Sequence, residues 1–241
     1  MRPKAKLVTA LGITTAAVPV LTTPPASAAS PAPAAPPSSP APPAPADPPA
    51  PADTPHGATP TIEVAVMGGS GCRPETVTIT PEPTGFTVRH SGYSARIGGD
   101  ALPTDIRKNC QLNLRIIPSA GVTYAVMRVD HRGSARLEPG TTGVLRASHY
   151  FAGFPGHTPT YDSFKGPLSD GWQVTETVGP SRLVYKPCGE EQNLSVSTEL
   201  RLTASDRTKT NVLDMHAGLG TTYHFAWRTC PRGEDDARSA R

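Results

Sequence analysis

The chain has 241 residues, a formal net charge of +3 and an aromatic content of only 5%. Its basic residues are scattered, with no Lys/Arg stripe interleaved with aromatics, which excludes the electrostatic footprint of a nucleic-acid binder. Past Ser30 no apolar stretch approaches the roughly 20 residues that span a bilayer, so membrane insertion is not expected either.

Residues 1–28 read as a cleavable signal peptide. Arg2, Lys4 and Lys6 supply a positive n-region, Leu7 to Leu21 an apolar and small-residue h-region, and Ala26-Ser27-Ala28 an A-x-A cleavage site. An N-terminal helix of the domain is the competing reading. Pro19, Pro24 and Pro25 oppose it, because each removes a backbone donor and clashes with the preceding turn. Arg2-Pro3-Lys4 is not a twin-arginine pair, and no cysteine follows the cleavage site to take a lipid. Residues 29–60 are dominated by Pro and Ala and hold no aromatic residue. Nothing there offsets the entropy cost of ordering, so a disordered segment biased to polyproline II is expected. It serves as a stand-off spacer or, more simply, as a plain tail.

From Thr61 onward the pattern changes to short alternating runs broken by Gly, Pro, Asn and Asp. Strands are predicted at Ile62–Met67, Thr76–Thr80 and Phe86–Arg89. In Cys110–Ile116, Cys, Leu, Leu and Ile share one face and Gln, Asn and Arg the other. Further strands are expected at Val122–Asp130, Val144–Phe151, Trp172–Val178 and Leu183–Lys186. Leu194–Leu202 repeats the alternation, and Thr221–Thr229 sets Tyr223, Phe225 and Trp227 on one face. No convincing helix of three turns is found. Roughly ten strands with short turns imply an all-β domain over residues 61–230, an antiparallel β-sandwich or jelly-roll-like fold. Residues 231–241 form a short charged tail.

Cys72, Cys110, Cys188 and Cys230 all fall inside this domain. An even count in an exported chain favours disulfides over zinc or a catalytic thiol. Three connectivities are open, and the preferred one joins Cys72 to Cys110 and Cys188 to Cys230.

With the strands laid out, several segments carry a family resemblance. They include Gly69-Ser70-Gly71-Cys72, the run Pro103–Leu114 with its Arg107-Lys108-Asn109-Cys110-Gln111-Leu112 centre, and Asp170-Gly171-Trp172. Tyr124-Ala125, Arg132-Gly133, Tyr150-Phe151, Gly166-Pro167, Pro187-Cys188-Gly189, Thr198-Glu199-Leu200-Arg201 and Tyr223–Cys230 complete the set. The chain resembles small secreted proteins of bacteria and fungi that carry a domain of unknown function, family 4360. That resemblance implies secretion, one β-rich domain and paired cysteines; it implies no activity and no catalytic residues.

Candidate chemistry is sparse. Gly68-Gly69-Ser70-Gly71-Cys72 has a cysteine where a nucleophile elbow needs its last glycine, and no Lys-Ser/Thr pair follows to make a phosphate loop. A glycine-rich turn ending at a bridged cysteine is the better reading. The seven histidines, among them His131, His149 and His157, make no recognised ligand spacing. Asp214, His216 and His224 are the least unfavourable metal ligands, and neither metal nor cofactor is expected.

Among the carboxylates, alternation puts Glu176 on the face of Trp172, Val174 and Val178, where burial would raise its pKa. Glu199 or Asp170 is the candidate partner in a glycosidase-like pair, which requires carboxyls about 5–9.5 Å apart. Residues 149–172 concentrate aromatics around a Gly/Pro-rich centre. Phe154, Tyr161 and Trp172 are the candidate binding residues, with Phe154 and Tyr161 expected to be exposed.

The expected function is a noncatalytic binding or structural module, monomeric, acting at the cell wall or on extracellular polysaccharide. A secreted hydrolase using Glu176 with Glu199 or Asp170, and a secreted inhibitor of foreign hydrolases, are the alternatives.

Overall fold

A computed structural model describes residues 59–154, 158–215, 218 and 220–231. The expected signal peptide, all but the last two residues of the Pro/Ala segment, all but Pro231 of the tail, His157 and His216 lie outside the described residues.

The described residues form twelve β-strands: β1 Thr61–Gly68, β2 Val77–Glu82, β3 Gly85–His90, β4 Ser94–Ile97, β5 Arg107–Ile117 and β6 Val122–Leu137, then β7 Thr141–Phe151, β8 Thr160–Lys165, β9 Leu168–Thr177, β10 Leu194–Ala204, β11 Asn211–Asp214 and β12 Thr221–Thr229. The only helical elements among them are three 3-10 turns of three or four residues. Five strands form one sheet in the order β1-β5-β10-β7-β8, and seven form the other, β2-β3-β12-β6-β11-β4 with β9 also on β6. Every pairing is antiparallel. The architecture is thus the expected antiparallel sandwich. Strand β6 is its longest member: β12 and then β11 run along one edge, and β9 runs along the other.

The core lies where the two inner faces meet. Leu112, Leu114 and Ile116 of β5, with Leu194, Val196, Leu200 and Leu202 of β10, are buried against the opposite sheet. The aromatic face read from β12 is buried as well. Tyr223 stacks on Phe86 with centroids 4.6 Å apart, and Phe225 packs against Tyr124 at 4.4 Å. Burying each such ring contributes about 1.5–3 kcal/mol, and favourable ring pairs add about 0.5–1.5.

Three strands exceed the expectation. Strands β4 and β11 are only four residues long, and β8 turns Thr160, Asp162 and Phe164 inward, a mixed set that hides the alternation. Conversely, Leu183–Lys186 is not a strand. It follows the 3-10 turn Pro180–Arg182 and is joined to β6 by Lys186, whose N–H donates to Tyr124 O at 2.9 Å and whose carbonyl accepts the Thr123 hydroxyl. Gly133 is required by packing: a Cβ there would stand 1.9 Å from Asp214 O and 2.3 Å from the Trp172 ring.

Cys72 bonds Cys110 and Cys188 bonds Cys230, the preferred pairing, across sequence separations of 38 and 42. In the chain-entropy account each closure contributes about 4 kcal/mol by restricting the unfolded chain. A Cys188→Ser/Cys230→Ser variant is therefore expected to lose about 4 kcal/mol in urea denaturation; a loss under about 1 kcal/mol would contradict the pairing.

Candidate functional site

A bulge in β6 determines where two polar clusters face. Val126 pairs with Phe225 and Arg128 with His224, so Met127 is an extra residue on β6. One inserted residue reverses the side-chain parity of everything that follows. Before the bulge Tyr124 and Val126 face inward; after it Val129 and His131 do, and Asp130 turns outward.

On the outer side, the Asp130 carboxylate is only 3% exposed. It accepts hydrogen bonds from Arg128 Nη2 (2.9 Å), Thr175 Oγ1 (2.6 Å) and His224 Nε2 (2.9 Å). Burial alone would raise its pKa, but the bonds from Thr175, Arg128 and His224 outweigh it and hold the carboxyl below the ordinary range.

On the inner side, the His131 ring is 1% exposed and the Glu176 carboxylate 8%. His131 Nδ1 lies 3.2 Å from Thr221 Oγ1, and Nε2 lies 3.4 Å from Glu176 Oε1 without hydrogen-bond alignment. Thr160 on β8 donates its hydroxyl to the same Oε1 and so ties the edges of the two sheets together. Glu176 occupies the inward position that alternation assigned, but its pKa moves opposite to the expected direction. Burial pushes it up, yet His131 and the Thr160 hydroxyl, with the charge of His149, bring the net shift below the usual carboxylate value.

The carboxylate facing Glu176 is Asp162, which shares with it an open cleft of about 430 Å³ between β8 and β9. Burial and the neighbouring Glu176 charge raise the Asp162 pKa. The expected partners stand elsewhere. Asp170 is six residues earlier on β9, roughly 20 Å away at strand spacing, and accepts the Gly171 N–H at 2.7 Å. Glu199 faces outward on β10 and pairs with Arg107 Nη2 at 2.6 Å. Neither Glu199 nor Asp170 is brought to Glu176.

The aromatic candidates divide. Trp172 is 7% exposed, packed 4.9 Å from Phe164 inside the sandwich, so it offers no surface to a ligand. Tyr161 is 64% exposed and Phe154 36%, and Tyr150, not singled out by sequence, is 42%. Tyr161 and Tyr150 both point outward from the five-stranded sheet, where the register builds three rows. Tyr161, Arg146, Glu199 and Asn109 form one, Ser148, Ser197 and Gln111 the next, and Tyr150, Ser195 and Asn113 the third. Arg146 Nε donates to Tyr161 Oη at 3.1 Å, and Asn113 Nδ2 to Ser195 Oγ at 3.0 Å. Successive rows stand about 7 Å apart.

Of the metal candidates, Asp214 accepts the Ser134 hydroxyl at 3.1 Å and His224 is engaged with Asp130. Among the described residues no three His, Cys, Asp or Glu side chains are grouped to hold a metal ion. The Gly68–Cys72 segment is a turn, closed by Gly71 N–H on Asn109 O at 2.8 Å and by the Cys72 bridge.

Glu176→Gln is expected to cost about 1–3 kcal/mol at neutral pH by disturbing the buried Thr160 and His131 contacts. Because the folded-state pKa of Glu176 is depressed, its contribution is present above its unfolded value of 4.5 and lost as pH falls through the lower folded value. Denaturant titrations should show a loss on acidification below that point in the wild type, and a smaller one in the variant; identical acid limbs would contradict it.

No solved structure matches the chain. An "Uncharacterized secreted protein" of the fungus Arthroderma benhamiae is 30% identical over 168 residues, covering 68% of this chain and 69% of the relative. A family profile described as a domain of unknown function, DUF4360, matches residues 58–230, which take in every strand and all four cysteines. The chain belongs to the DUF4360 family.

Proposed function

We propose that this protein is a binding module that acts at the cell wall or on extracellular glycans, through the outer face of its five-stranded sheet. The protein is secreted, as its relative's name says of that protein, and its disulfides suit an oxidising compartment. The observation that carries the reading is the outward row structure of β7, β8, β10 and β5: two exposed tyrosines on neighbouring strands with hydroxyl, amide and guanidinium groups between them. Tyrosine rings pack against the apolar faces of sugar rings. The intervening Ser, Asn, Gln and Arg side chains supply donors and acceptors for sugar hydroxyls. Phe154, in the turn after β7, is also exposed. A sheet face needs no ordering on binding, which limits the entropy cost.

The test is a pull-down of the secreted protein with insoluble polysaccharides and cell walls, with soluble sugar measured in the same tubes. Tyr150→Ala/Tyr161→Ala, at exposed positions, is expected to weaken retention by about 5- to 150-fold, as the loss of two stacking rings worth about 0.5–1.5 kcal/mol each implies. Retention unchanged by the double variant would remove the proposed face. Sugar release abolished by Glu176→Gln would instead favour a hydrolase built on Glu176 and Asp162.

A further inference from the structure

A separate feature lies between the sheets. A cavity of about 470 Å³ opens at the end of the sandwich where β7 ends and β8 and β9 meet the segment that follows β9. Val126, Phe151, Val178 and Leu194 form its apolar wall, and its polar groups come from His149, Tyr150, Thr158, Thr160 and Arg182. This is the composition of a small-ligand site, and the volume falls toward the small end of the roughly 300–1,000 Å³ such sites occupy.

Two further observations specify the ligand. The first is the rim. Tyr150 and Val184, both exposed, line the cavity, and Met127 and Phe154, also exposed, are joined by backbone hydrogen bonds to its lining residues Val178 and Phe151. An apolar rim around an apolar cavity marks a binding surface. The second is charge. Arg182 is exposed at the edge of the cavity, and its guanidinium makes no hydrogen bond or ion pair with any described residue. A guanidinium in that setting presents a fork matched to a carboxylate.

We propose that this cavity binds a small amphipathic carboxylate, a single short acyl chain lying between the sheets with its head on Arg182. Asp162 and Glu176 line the neighbouring cleft and share Arg182 with it, so a singly charged head is favoured over a doubly charged phosphate. Glu176 is engaged by Thr160 and His131, which leaves Arg182 to the ligand. A short acyl chain matches the wall of Val126, Phe151, Val178 and Leu194, against which sugar hydroxyls would find no partners. The small volume favours one short chain over a two-chain lipid. Tyr150 borders both this cavity and the outer tyrosine face, whereas Arg182 lines only the cavity and Tyr161 heads only the outer row, so a test on Arg182 does not depend on that face.

Calorimetric titration of the delipidated full chain with decanoate and with decanol, below their aggregation concentrations, tests it. Decanoate is expected to bind one to one and more tightly than decanol. Arg182→Gln should weaken decanoate at least tenfold and leave decanol nearly unchanged, and Val184→Glu, which adds a charge to the apolar rim, should weaken both. Both substitutions are at exposed positions, so the fold is not at risk. Absence of decanoate binding, or decanoate affinity indifferent to Arg182→Gln, overturns the proposal; Tyr161→Ala should leave it intact.

Discussion

The extra residue at Met127 is the constraint on which the two ends of this sandwich depend. With uninterrupted pairing, β6 would keep one parity from Tyr124 to Leu137, and Asp130 would be driven into the core while His131 faced solvent. The bulge reverses that. Asp130 gains three donors on the outer surface, His131 enters the sandwich beside Glu176, and the Met127 carbonyl is left to accept Val178 N–H at 2.9 Å. That last bond carries the chain beyond β9, toward the cavity wall at Val178 and the rim at Arg182 and Val184.

A buried carboxylate is costly unless its charge is met. Glu176 is met from both sheets, by Thr160 on β8 and by His131 on β6, and His131 is held in turn by Thr221 on β12. The chain of contacts from Thr221 to Thr160 crosses the interior and fixes how closely β8 approaches β9. It therefore sets the width of the cleft and the position of the outer row that Tyr161 heads. The disulfides act elsewhere: one secures the turn after β1 to β5, the other the segment before β10 to the end of β12.

Much of the fold is legible in the sequence because its central strands obey simple alternation. Cys110–Ile116, Leu194–Leu202 and Thr221–Thr229 each expose one polar and one apolar face, and the structure buries the apolar one. Alternation likewise set Glu176 among inward residues. It fails where periodicity is interrupted or short. The bulge gives no local signal, so nothing in the sequence distinguishes the facing of Asp130 from that of His131. Strand β8 turns an aspartate inward, which concealed both the strand and the carboxylate opposite Glu176. Leu183, Val184 and Tyr185 have strand composition, yet they follow a 3-10 turn beside β6 without forming a ladder. Trp172 reads as a ligand platform because it closes an aromatic-rich stretch, yet its ring fills the space above Gly133 and packs on Phe164.

Hydrogen–deuterium exchange on the full chain, with and without a soluble oligosaccharide from whichever polysaccharide retains the protein, tests the central claim most directly. The account predicts added protection concentrated in β7, β8 and β10, the strands that carry the tyrosine rows, with β2 and β3 of the opposite sheet unchanged. Protection concentrated in β2, β3 and β12 would contradict it and move the binding surface to the seven-stranded sheet.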